Sequence, residues 1–141
     1  NGVVAVVTDA QGNLVPGAAV SFTVADGATI TTVTGTTGAD GKATAEVISI
    51  AAGTYLVTAT VNGKATQKNT TFVPDSATAE ITDANLTIDP DNSPANGVAK
   101  NGVVAVVTDA QGNLVPGAAV SFTVEDGASI TTVTGTTGAD G

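Results

Sequence analysis

The sequence contains no cysteine, methionine, tryptophan, histidine or arginine, and only one tyrosine and three phenylalanines among 141 residues. Zero cysteine excludes disulfides, thiol catalysis and thiolate metal sites, so stability has to come from packing. Without histidine or cysteine, a nucleophile–base pair must be built from Ser, Thr, Tyr, Lys and carboxylates. Those residues fall in turns and on alternating solvated faces, which points away from an enzyme. Positive charge is also scarce: Lys42, Lys64, Lys68 and Lys100 face thirteen acidic residues, for a net charge of −9. Binding nucleic acid or an anionic membrane surface needs clustered Lys and Arg, so neither is expected as a partner. The acidic balance keeps copies soluble and apart. No apolar run approaches the roughly 18 residues of a membrane span. No signal peptide is visible and the first residue is not Met, so the expectation is a fragment from inside a larger polypeptide.

What is present settles the fold class. Thr, Val, Ala and Gly dominate, whereas the stronger helix formers are few. Turn dipeptides punctuate the chain: Gly12-Asn13, Asp26-Gly27, Asp40-Gly41, Asn62-Gly63 and Asn96-Gly97. Between them lie strand-like runs at residues 3–8, 18–24, 30–34, 42–50, 54–61 and 68–73, then 79–81 and 86–88. The expectation is an all-β protein of antiparallel sandwich type.

Residues 1–41 return as residues 101–141 with two changes, Ala25 to Glu125 and Thr29 to Ser129. A period of one hundred residues is too long for a solenoid repeat and suits a self-contained immunoglobulin-like sandwich, so tandem modules are expected. Pro74-Asp75-Ser76 marks the natural boundary. In that frame residues 1–75 are a module lacking its first strand. Residues 76–141 open the next module and stop before its last strands.

Alternation within the strands picks out the core. Val20, Phe22 and Val24 point one way, and Tyr55, Val57, Ala59 and Val61 share a face. Val3, Ala5 and Val7 face inward by the same rule, although Val4 and Val6 leave that strand apolar on both sides. With so few aromatics, Phe22, Tyr55 and Phe72 should each matter, and Phe122 repeats Phe22 in the second module.

The blocks VVTDAQGNLVPGAAVSFTV (residues 6–24), TGTTGADGKATAEV (34–47) and AGTYLVTATVNG (52–63) resemble the bacterial immunoglobulin-like domains of group one. These modules string together in the stalks of intimin- and invasin-type outer-membrane adhesins. The resemblance implies an extracellular, cell-surface location, anchored to the outer membrane through another domain. It implies a structural spacer whose partners are neighbouring repeats of the same polypeptide, with any host-cell ligand bound elsewhere and no direct membrane contact. An adhesive module that itself contacts a host receptor or glycan is the rival, and a phage or appendage decoration domain a third reading. The scarcity of aromatics and absence of Arg weigh against the rival, because binding hot spots lean on Trp, Tyr and Arg. Tyr55, just after Ala52-Gly53, sits where a hydroxyl can tie down the preceding loop, as in a tyrosine corner.

Other chemistry is thin. Asp83, Asp89 and Asp91, with Asn85 and Asn92, offer the oxygens Ca²⁺ takes. Their run lacks EF-hand spacing, and Pro90 and Pro94 stiffen it, so a solvated acidic turn without metal or cofactor is expected. The lysines sit at strand starts or in polar segments, unsuited to a buried Lys–Asn isopeptide staple. Threonines at residues 29–37 suit an ordinary strand as well as a flat ligand array. The sequons at Asn69 and Asn85 carry little weight if the source is bacterial, as the resemblance implies.

Overall fold

The computed structural model describes residues 1–141 and contains eight β-strands and two short 3₁₀ turns, with no α-helix. Every strand pairing is antiparallel. The chain divides into two compact units, Asn1–Val73 and Pro74–Gly141.

The first unit is a sandwich of two three-stranded sheets. One has the order β1 (Gly2–Val6), β4 (Lys42–Ile48), β3 (Thr29–Thr34), the other β2 (Ser21–Val24), β5 (Gly53–Val61), β6 (Lys64–Phe72). The central strand β4 reads Lys-Ala-Thr-Ala-Glu-Val-Ile, and its alternation is complete. Ala43, Ala45 and Val47 are 0, 2 and 0 % exposed, while Lys42, Glu46 and Ile48 face solvent. Burying one valine fully stabilises a fold by roughly 1.5–3 kcal/mol. The alanines do something else: small residues on β4 leave the volume that Val20 and Phe22 of the facing sheet fill. Val3, Ala5 and Val7 pack against this cluster, whereas Val4 and Val6 are exposed. A one-residue slip of β1 would reverse that arrangement and expose the inward set.

Strand ends follow local chemistry. Asn62 and Gly63 both have positive φ, 49° and 73°, and form the two-residue hairpin between β5 and β6. The hairpin pairs Val61 with Lys64 and zips all nine residues of each strand. β6 therefore starts four residues before the strand-like run expected at 68–73. It is an edge strand, and Lys64 and Lys68 on it disfavour pairing with another sheet. The run expected at 18–24 becomes a strand only from Ser21, because Gly17 at φ 73° turns the chain after Pro16 and only Ala19 bridges, to Thr36.

The second unit opens with 3₁₀ turns at Ser76–Thr78 and Asp83–Asn85, then β7 (Leu86–Ile88) paired with β8 (Val103–Ala105). The run expected at 79–81 shrinks to one bridge, Glu80 to Thr108. Residues 121–124 repeat β2 and residues 129–134 repeat β3 with only Ser129 changed, yet neither forms a strand here. The physical reason is pairing. In the first unit β2 needs β5 and β3 needs β4, and the second unit contains no counterpart of residues 42–72.

Candidate functional site

No catalytic residue was expected, and the side chains that carry the architecture are mostly loop ties. Tyr55 is half-buried at the start of β5. Its hydroxyl donates to the Ala51 carbonyl at 2.9 Å and accepts from the Ser49 hydroxyl at 3.1 Å. Ser49 Oγ also lies 2.8 Å from the Ala51 carbonyl and 3.0 Å from that of Gly27. The ring meets Phe72 edge-on, centroids 6.0 Å apart, a geometry favoured by the ring quadrupoles. This is the loop-fastening role its position suggested. A Cβ on Gly27, at φ 96°, would meet the Tyr55 ring at 2.9 Å, so the closeness of this packing depends on glycine.

A second tie went unread in the sequence. The Thr37 hydroxyl, 4 % exposed, donates to the Val15 carbonyl at 2.7 Å and accepts the Ala18 N–H at 2.8 Å. Thr137 repeats both bonds with Val115 and Ala118, at 2.6 and 2.8 Å. A threonine in a Thr-rich segment gives no sign of burial; only its flanking glycines, Gly35 and Gly38, hint at tight turns.

The Asp9 loop shows what one sequence does in two settings. Asp9 Oδ1 accepts the N–H groups of Gln11 and Asn13 at 2.9 Å, and Oδ2 accepts Asn13 Nδ2 at 2.9 Å. The Asn13 side chain leads the bonds that hold the Asp9 carboxyl below the usual carboxylate range. Asp109 repeats these bonds and adds one: its Oδ2 accepts the Asp75 N–H at 3.0 Å. The segment after Pro74 lies on this loop, with the Ala110 N–H donating to Thr78 Oγ1 at 3.2 Å. Asp9 is exposed, whereas Asp109 is buried. Burial pushes the Asp109 carboxyl up, but bonds from the Asn113 side chain and the Asp75, Asn113 and Gln111 N–H groups outweigh it, bringing it down to about 2.

The remaining candidates are placed as follows. Val20, Phe22 and Val57 are buried; Val24, Tyr55, Phe72 and Phe122 are half-buried. Asp83, Asp89 and Asp91 are exposed and do not converge: no three acidic side chains gather anywhere in the chain. Asp91 Oδ1 instead accepts the Asn92 N–H at 2.7 Å and Asn101 Nδ2 at 3.1 Å, fixing the loop itself.

Comparison with known proteins agrees with this architecture. The sequence profile of the bacterial Ig-like domain (group 1) family matches residues 1–73 and again 83–141. The inverse autotransporter adhesin YeeJ of Escherichia coli (strain K12) is 36 % identical over 126 residues, 85 % of this chain and 5 % of its own length. The structure of Yersinia pseudotuberculosis InvD superposes with a TM-score of 0.57 at 19 % identity, over 81 % of this chain and 37 % of its own. The chain thus spans a small part of the relatives it matches.

Proposed function

Because the chain belongs to the bacterial Ig-like domain (group 1) family, we propose that it is a repeat module of a bacterial surface-adhesin stalk, spacing a distal adhesive domain from the cell. The observation that carries this reading is the repeat. Forty-one residues recur one hundred positions later with two substitutions, and the Thr37 and Asp9 loop ties form again at Thr137 and Asp109. A part whose number matters more than its individual surface is expected to repeat in this way. The adhesin YeeJ matches over 85 % of this chain, which supports the adhesin context. The setting is extracellular, at the outer membrane, with anchoring and ligand recognition assigned to other domains of the polypeptide.

Tryptophan and arginine, on which binding hot spots lean, are absent, and tyrosine occurs once. At the start of the second unit the Asp75 N–H is held by Asp109, and the Asp75 carboxylate caps the Ser76–Thr78 turn.

The test places arrays of one to six periods beneath an adhesive tip on a bacterial surface. Adhesion across a gap should depend on period number, and the array without a tip should not bind host cells. Saturable binding of the array alone would replace the spacer with the rival, a module that contacts host receptor or glycan directly.

A further inference from the structure

An asparagine side-chain amide is open to attack by the backbone nitrogen of the following residue, and a side chain on that residue hinders the approach. The Asn-Gly pairs are therefore the exposed chemistry of this chain: Asn1-Gly2, Asn62-Gly63, Asn96-Gly97 and Asn101-Gly102. The fold treats them differently. Gly2 lies in β1, in register with Glu46, and Asn1 Nδ2 donates to Thr70 Oγ1 at 2.8 Å. Asn62 and Gly63 form the apex of the β5–β6 hairpin, and closing a ring there would twist a turn clamped by nine strand pairs. The Gly102 N–H donates to the Pro90 carbonyl at 3.0 Å, and Asn101 Nδ2 to Asp91 Oδ1 at 3.1 Å, so attacking and leaving nitrogens are both occupied. Asn96 and Gly97 are exposed and lie outside every strand pairing. The Gly97 N–H takes part in none of the loop's backbone bonds. Asn96 Oδ1 accepts the Val98 N–H at 2.9 Å and the Ala99 N–H at 2.8 Å. Those two donors draw electron density from Cγ. They also sit where negative charge collects when a nitrogen adds to that carbon, as the donors of an oxyanion hole do.

We propose that Asn96 is a self-modification site, at which the folded loop promotes its own deamidation with water as the only co-reactant. The Gly97 nitrogen gives its proton to solvent base and bonds to Asn96 Cγ. The Cγ–Nδ2 bond breaks, and Nδ2 takes up a proton and leaves as ammonia, closing a five-membered succinimide. Water then opens that ring at either carbonyl. Opening at the side-chain carbonyl leaves an aspartate; opening at the main-chain carbonyl leaves an isoaspartate, with the backbone rerouted through Cγ. No electrons are transferred, and ammonia is exchanged for water. Each event adds a negative charge to a loop that already carries Asp89 and Asp91. The isoaspartyl product also lengthens the backbone by a methylene, which removes the oxygen from the Val98 and Ala99 N–H groups and loosens the connection between β7 and β8. The proposal is independent of the stalk reading, since every bond that activates Asn96 lies within residues 96–99.

The test incubates the full chain at mildly alkaline pH, native and in urea, and follows each internal Asn-Gly pair by mass spectrometry of proteolytic fragments, with aspartyl and isoaspartyl products separated by chromatography. Unfolded, Asn62, Asn96 and Asn101 should convert at similar rates, because the dipeptide is the same. In the native chain Asn96 should convert about tenfold faster than either of the others, and faster than it does itself in urea. Ala99→Pro deletes one of the two donors and should slow Asn96 towards its unfolded rate, whereas Ala99→Ser keeps the N–H and should not. Thermal melts of both variants check that the fold persists. A native Asn96 rate at or below the rate in urea would overturn the proposal, as would faster conversion at Asn62 or Asn101.

Discussion

The duplicated sequence gives each core position an internal control, and Phe22 is the most informative. Phe22→Ala removes a ring that is 7 % exposed and packed among Val20, Ala43 and Ala45. Truncating a buried Phe costs about 3–5 kcal/mol, the upper end applying where the site cannot collapse. β4 already presents alanines there, so little can move in to fill the space. A unit of this length has a total stability of about 4–11 kcal/mol at roughly 0.05–0.15 kcal/mol per residue, so the substitution removes much of it. Tyr55 is the only tyrosine and there is no tryptophan, so intrinsic fluorescence reports the first unit alone. With a urea dependence of about 1 kcal/mol/M, the Tyr55 midpoint should fall by about 3 M or the unit should be unfolded from the start. Phe122→Ala deletes the same side chain from a half-covered site and should leave the Tyr55 transition where it was. A Phe22→Ala midpoint within about 1 M of the parent's, a loss near 1 kcal/mol, would refute the packing argument; so would equal effects of the two substitutions on that transition.

Three further outcomes follow from the loop ties. Tyr55→Phe should lower first-unit stability by about 0.5–1.5 kcal/mol in the same urea titration, since Ser49 still satisfies the Ala51 carbonyl once the hydroxyl is gone. Asp109 has a lowered pKa, so its contribution is present above the unfolded-state value near 3.8 and is lost as pH falls through about 2. Amide exchange at Asp75 should therefore accelerate across that window, and Asp109→Asn should remove the step. Gly102→Ala should destabilise the second unit, because its Cβ would collide with the Asp89 carbonyl, whereas Gly2→Ala meets open space and should be tolerated; thermal melts of both variants check this.

Much of the fold was legible because strands with one buried face write their register into the sequence. Phe22 and Val57 lie on inward faces that period-two alternation singled out, and Val4 and Val6, ambiguous as sequence, are resolved by β4, which admits only Val3 and Ala5 on the inner side. The deepest residues were less visible. Ala43 and Ala45 look like unremarkable small residues until β4 is known to be central, where small size is what the facing ring requires. Asn62-Gly63 had signalled a turn, but the polar composition of residues 64–67 hid that the second strand begins directly after it. Asp75 and Asp109 are 34 positions apart and both read as ordinary turn residues; only tertiary placement reveals the bond.

As a spacer, each added repeat should unfold as its own unit and add a fixed length to the array. The nine-residue β5 spans about 30 Å at roughly 3.3 Å per residue, so each added period should lengthen the molecule by a few nanometres. Small-angle X-ray scattering on arrays of one, two, four and six periods, each melted in parallel by calorimetry, measures this directly. A maximum dimension rising by the same increment per period, with an unchanged melting midpoint, is the predicted result. A dimension growing only as the square root of period number, or a midpoint climbing with each added period, would contradict it.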